Sequence, residues 1–130
     1  MTASQLVLPF VLDKHAGVVV VGVTLHRDAT TVELSEGTAG LQLELSLGDN
    51  AATTNSPDAT AVDINGARGV YDRPGVYGVE QHWPAVQWEY APGSWALLVG
   101  AGEPGLLKVA RAIRFSGTTP VSSVVRLTRA

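Results

Sequence analysis

The 130-residue sequence contains no cysteine. That excludes disulfide cross-links, thiolate nucleophiles and cysteine-ligated zinc, and leaves the compartment open, because many exported domains also lack cysteine. Charge is sparse, at 16% of residues against 45% hydrophobic. Such a composition belongs to a packed domain rather than a disordered chain. No apolar run reaches the roughly 20 residues that a membrane-spanning helix requires. The stretch Gly17 to Leu25 ("GVVVVGVTL") is too short, and Asp13-Lys14-His15 separates it from the apolar run before it. The opening "MTASQLVLPF" lacks the basic leader of a secretory signal. These absences predict one soluble domain over residues 1–130, attached to a membrane only through an anchor that this chain does not carry.

A basic surplus is also missing. The net charge is −3, made up of 4 Lys/Arg and 11 Asp/Glu in residues 1–90, and 5 and 1 in residues 91–130. A nucleic-acid binder carries basic residues interleaved with aromatics, so no nucleic-acid partner is expected. Lys108, Arg111, Arg114, Arg126 and Arg129 read as the solvated face of a helix and of a terminal strand.

What is present is strand-forming pattern. Val18 to Val23 is dense in β-branched residues and predicts a strand covered on both faces or central in a sheet. Thr31 to Leu34 and Leu41 to Leu45 alternate apolar with polar, which sets Leu41, Leu43 and Leu45 on one face and Gln42 and Glu44 in water. The "SEGTAG" between them predicts a hairpin. Residues 48–60 ("GDNAATTNSPDAT") read as a surface loop.

Asn65-Gly66 then stands between "AVDI" and "ARGVYD". A two-residue type I′ turn needs positive φ at both central positions, which Asn and Gly tolerate best. The pair therefore predicts a hairpin turn, flanked by Ile64 and Ala67, rather than a ligand loop. By this reading Gly66→Val is costly and Asn65→Gly cheap, since glycine serves the same turn.

Arg73-Pro74-Gly75 makes a looser turn, "VYGVEQHW" continues as strand, and Trp83-Pro84 marks an edge or bend. "AVQWEY" and "SWALLVG" pair through Pro92-Gly93. Helical spacing occurs once, over residues 103–114, with Leu106, Leu107, Val109, Ala110 and Ile113 on one side. Glu103 and Pro104 suit its start, and Gly117 and Pro120 end it. "VSSVVRLT" forms a short last strand. The predicted fold class is α+β: one curved antiparallel sheet of about 7–9 strands packed on a single C-terminal helix.

No catalytic set is complete. His15, His26 and His82 show no metal-ligand spacing. "GAGEPG" at residues 100–105 lacks the GK[ST] ending of a phosphate loop, and no G-x-S-x-G occurs. Asp63 and Asp72 can approach across the Asn65-Gly66 hairpin, where they read as solvated charges. His82 beside Trp83, with Asp72, is the one enzymatic alternative. No cofactor and no metal is expected. Trp83, Trp88 and Trp95, with Tyr71, Tyr77 and Tyr90, stand out in a chain with few aromatics. Core packing is their default role. The alternative is an apolar ligand groove formed by Trp83, Trp88, Trp95 and Tyr90.

The pattern "AVDINGARGVYD … VQWEYAPGSWALLVGAGEPGLLKVARAIRF" resembles the C-terminal part of actinobacterial extracytoplasmic domains of unknown function. These typically follow a membrane anchor, and some sit on anti-sigma or sigma-linked regulators. The matching positions are Val62, Ile64, Asn65, Gly66, Gly69, Trp88, Pro92, Gly93, Trp95, Leu106, Leu107 and Ala110. The pattern is more loosely similar to lipoprotein-carrier half-barrels and to the Mog1/PsbP-like fold. The missing catalytic set and the strand-rich pattern with one amphipathic helix point to a non-enzymatic binding, sensory or protein-interaction domain, and the resemblance implies an extracytoplasmic location for it. Its partner would be another protein or a small apolar ligand. Alternatives are a carrier holding an apolar, lipid or acyl ligand between sheet and helix, and an enzyme centred on His82 and Asp72.

Overall fold

β-branched and alternating segments dominate the chain, and they build one large sheet. A computed structural model describes residues 6–37, 39–47, 60–72, 75–77, 80–82, 84–100, 105–121 and 125–129. Two short strands open the chain, β1 (Val7–Leu8) and β2 (Val11–Leu12). Long ones follow as β3 (Val18–Leu25), β4 (Ala29–Glu36) and β5 (Ala39–Leu47). β6 (Thr60–Ile64) and β7 (Ala67–Asp72) form the Asn65-Gly66 hairpin. β8 (Gly75–Tyr77) and β9 (Glu80–His82) pair with each other. β10 (Ala85–Ala91) and β11 (Ser94–Gly100) precede helix α1 (Gly105–Ala112). The chain closes with β12 (Ile113–Arg114), β13 (Thr119–Pro120) and β14 (Arg126–Arg129).

The main sheet has eight strands in the order β14-β3-β4-β5-β11-β10-β7-β6. Sheet plus helix makes the fold α+β, as the patterning predicts. Its pairings are antiparallel except at one edge, where β14 runs parallel to β3. β13 pairs with β1, and β14 lies along the second half of β3, Arg126 to Arg129 against Gly22 to Leu25. Arg126 on β14 reaches across β3 to an ion pair with Glu33 on β4. Gly22 makes room for it, since a Cβ there would lie 2.7 Å from the Glu33 carboxylate.

The three predicted hairpins form. β4 and β5 pair from Glu36–Ala39 outward, β10 and β11 close at Ala91–Ser94, and Ile64 faces Ala67. Asn65 and Gly66 have φ of 54° and 91°, the two positive values of a type I′ turn. Other expectations shift. Residues 75–82 make a hairpin of two short strands rather than one strand, its turn lying outside the described residues. Of the predicted 48–60 loop, residues 48–59 also lie outside them, and Thr60 already begins β6. β3 is not covered on both faces. It sits one strand from the edge, its register slips at a bulge between Val20 and Gly22, and Val19 is 58% exposed.

The helix ends two residues earlier than its spacing predicts, and Glu103 and Pro104 lie outside the described residues. Two carbonyls at its C-terminal end, and that of Ile113 just beyond it, find partners elsewhere. The Asp13 N–H donates to the Ala112 carbonyl, and the Asn65 side-chain amide donates to those of Arg111 and Ile113. Helix-end carbonyls have no partner within the helix. Here they are satisfied by the N-terminal segment and the β6–β7 turn, which frees Ile113-Arg114 to pair with Val11-Leu12.

The core lies between the inner face of the sheet and α1. From the sheet come Val32, Leu34, Leu43, Val86, Trp88, Ala96, Leu98 and Ile64, all buried. Leu106, Val109 and Ala110 meet them from α1, which packs over β10 and β11. Leu107, expected on the same face, is only half-buried. Gln42 and Glu44 face water as the alternation requires. Among the described residues no helix is long and apolar enough to cross a membrane.

Candidate functional site

Strand direction gathers three turns at one end of the sheet. Residues 26–28 join β3 to β4, Asn65-Gly66 joins β6 to β7, and Pro92-Gly93 joins β10 to β11. The antiparallel registers place all three on the side where β5 ends and β11 begins. Each turn has local support. The His26 Nε2 and Thr31 Oγ1 are 3.1 Å apart, the Gly66 N–H donates to the Asp63 carboxylate, and the Gly93 N–H donates to the Glu89 carboxylate.

Behind these turns sits an aromatic cluster centred on Phe115, which follows β12. Its ring is 5.8 Å from Phe10 in a tilted contact and 6.5 Å from Trp88 edge to face. Tyr90 stacks flat on it at 3.7 Å and 6°. Aromatic pairs ordinarily prefer offset or T-shaped contacts, so the flat Tyr90–Phe115 sandwich is held by the elements that carry the two rings. Phe10 and Trp88 are fully buried, whereas Tyr90 is half-buried and forms the open end of the cluster. Burial raises the Tyr90 hydroxyl pKa above the ordinary tyrosine value, and its hydrogen bond with Ser94 partly opposes that.

Three adjoining depressions open around Tyr90. One of about 390 Å³ is lined by Pro9, His26, Asp28, Thr30 and Leu45 beside it. A second, of about 300 Å³, is walled by Trp88, Tyr90 and Phe115 and rimmed by Asn65, Arg114 and Ser116. The third, of about 580 Å³, is shallow and runs over Gly66, Glu89 and Gly93. Tyr90 lines all three. Apolar walls with a few polar groups at the rim are the usual character of a small-ligand or side-chain pocket. Among the described residues, the second depression is lined by a guanidinium and hydroxyls and by no carboxylate or imidazole, and the Asn65 amide nitrogen there already donates to the Arg111 and Ile113 carbonyls. The depression can hold and orient a group. Among the described residues no set of three or more His, Asp or Glu side chains could hold a metal ion.

The four groove candidates are not brought together. Trp88 and Tyr90, alternate residues of β10, share the inner face and meet at Phe115. Trp95 pairs with Glu89 and so lies on the outer face with Leu97 and Val99. Trp83 lies outside the described residues. Trp88 is 1% exposed, so its bulk belongs to the core and only an edge lines the cleft. Of the enzymatic candidates, His82 pairs with Gly75 in β9 and Asp72 with Ala85 at the end of β7. Their side chains lie outside what the structure describes.

Phe10, Phe115 and Arg114 escape a search limited to tryptophan, tyrosine and histidine. The signal for Phe115 is its place two residues beyond Ile113 on the same apolar side. Nothing local marks the bonds from Asn65 to the helix end, because they join residues 46 and 48 positions apart. No protein-family model, curated protein or solved structure matches the chain.

Proposed function

We propose that this chain is a non-enzymatic binding domain that engages its partner through the loop end, with Tyr90 as the anchor. The observation that carries the reading is that one half-buried tyrosine lines three adjoining depressions. Tyrosine is among the residues enriched at the hot spots of protein interfaces, where a partner completes its desolvation and surrounding contacts exclude water. The chemistry suits a flat apolar group, either a small molecule or an aromatic side chain of a partner protein. It would lie against Tyr90 and Phe115, with Asn65, Ser116 and Arg114 within the same rim.

The carrier alternative, an acyl chain between sheet and helix, finds less support. Leu34, Leu43, Leu98, Leu106 and Val109 fill that space and are each at most 1% exposed. Any apolar ligand would therefore sit at the rim. The proposal includes a location outside the cytoplasm, which rests on the sequence resemblance alone. Fusion to a reporter active only after export tests that part.

Titration of isotope-labelled protein with planar aromatic fragments, indole and naphthalene among them, tests the binding reading. Amide shifts should concentrate at Asn65, Ala67, Tyr90, Gly93 and Ser116. Fragments that bind only on the outer face near Trp95, or nowhere, would remove the Tyr90 site.

A further inference from the structure

A different groove runs along the exposed side of α1, between the helix and the short turn that holds Ala16. Its volume is about 630 Å³. Ala16, Leu107 and Ala112 give it an apolar floor, and Lys108, Arg111 and Arg114 stand around it. These three cations are exposed, so the charge sits at the rim and the apolar surface lies below. Arg111 is also fixed in place, because its Nε donates to the Asp63 carbonyl at 3.1 Å.

From this geometry we infer a second binding site that takes an amphiphilic anion, an aliphatic tail carrying a carboxylate. The apolar floor matches the tail. Among the described residues of the lining, three cations stand against one carboxylate, that of Asp13, and this surplus of positive charge matches a negative head. Cations near a helix C-terminus also complement the helix dipole. That effect bears on Arg111, the basic residue of the last turn of α1, but not on Lys108 in mid-helix, on Arg114 in β12 or on the apolar floor beneath them. The site is distinct from the Tyr90 depressions, although Arg114 borders both.

Decanoate below its micelle threshold is the probe, with decanol as the tail alone and acetate as the charge alone. Titrated into the labelled full chain, decanoate should shift the amides of Ala16, Leu107, Lys108 and Ala112. Decanol and acetate should bind at least about tenfold more weakly, which corresponds to about 1.4 kcal/mol. Lys108→Gln and Arg114→Gln should each weaken decanoate about threefold to tenfold and leave decanol unchanged. Added salt should weaken decanoate as well. Lys108 is exposed and outside the core, so its variant should melt like the parent. The site is overturned if decanol binds as tightly as decanoate, if both substitutions leave decanoate affinity unchanged, or if nothing binds. Shifts confined to Ala67, Tyr90 and Gly93 would overturn it too, while supporting the loop-end site.

Discussion

Two hairpins, each closed by a two-residue turn, do different work. In the β10–β11 hairpin the turn is a local matter: Gly93 takes φ of 75°, and its N–H is held by Glu89 four residues back. Its strands carry the load, with Val86, Trp88, Ala96 and Leu98 all buried. In the β6–β7 hairpin the order is reversed. β6 is an edge strand whose first four residues are exposed or half-buried, yet its turn reaches the helix. Asn65 donates to the carbonyls of Arg111 and Ile113, and Arg111 returns a bond to the Asp63 carbonyl. A turn can thus be chosen for its backbone and retained for its side chain.

The largest effect should come from the load-bearing strand. Trp88→Ala removes a fully buried ring that touches Phe115, and large-to-small changes of this kind cost about 3–5 kcal/mol. Chemical denaturation should show most of the stability gone. Gly66→Val comes next. It forces a β-branched residue to φ near 91°, and such strain costs about 1–3 kcal/mol. No neighbour lies within 4 Å of the position, so the backbone alone sets the penalty. A melt at the parental temperature would break the turn assignment.

Asn65→Gly sharpens the contrast. Turn geometry alone makes this substitution nearly free, but the structure adds two side-chain bonds that glycine cannot make. At a net value of about 1 kcal/mol per bond, the variant should lose roughly 1–2 kcal/mol. Glu89→Gln, the corresponding change at the other hairpin, should stay within about 0.5 kcal/mol because its bond is exposed and local. Equal melts for the two variants would erase the difference between the turns.

The smallest effect is a pH dependence. The Tyr90 hydroxyl has a raised pKa in the folded protein because it is partly buried. The unfolded chain therefore loses that proton first as pH rises, and binds fewer protons than the native state. Stability from this group is present below pH 10 and declines as pH climbs through and above it. Tyr90→Phe should flatten the alkaline decline relative to the parent, as read by melts between pH 8 and 11.

Much of the architecture was legible because it follows from short-range rules. Leu41, Leu43 and Leu45 alternate with Gln42 and Glu44, and Asn65-Gly66 and Pro92-Gly93 are turn chemistry, so strands and hairpins could be located in advance. The parallel β14 was not legible, since no local pattern reports which sheet edge a returning segment will join. The end of α1 was misplaced for a similar reason: Ile113 and Arg114 keep helical spacing, but Asp13 and Asn65 take the carbonyls at that end. At the candidate site the parity of β10 pointed correctly to Trp88 and Tyr90 on one face. It could not place Trp95 opposite them, because that depends on the register that sets Trp95 against Glu89. The spacing of Phe115 from Ile113 marks its apolar side, but its ring partners Phe10, Trp88 and Tyr90 are set by tertiary packing.

The central claim is that Tyr90 anchors binding while the Asn65 turn supports the fold behind it. Tyr90→Leu and Asn65→Gly, each titrated with the best-binding aromatic fragment and each melted, separate the two roles in one comparison. The account predicts that Tyr90→Leu loses the fragment by tenfold or more and keeps all but about 0.5–1.5 kcal/mol of its stability, the value of one aromatic pair. Asn65→Gly should melt lower and, where still folded, bind the fragment within about threefold of the parent. Undiminished fragment binding by Tyr90→Leu, with the shifts still centred on Ala67 and Gly93, would contradict it.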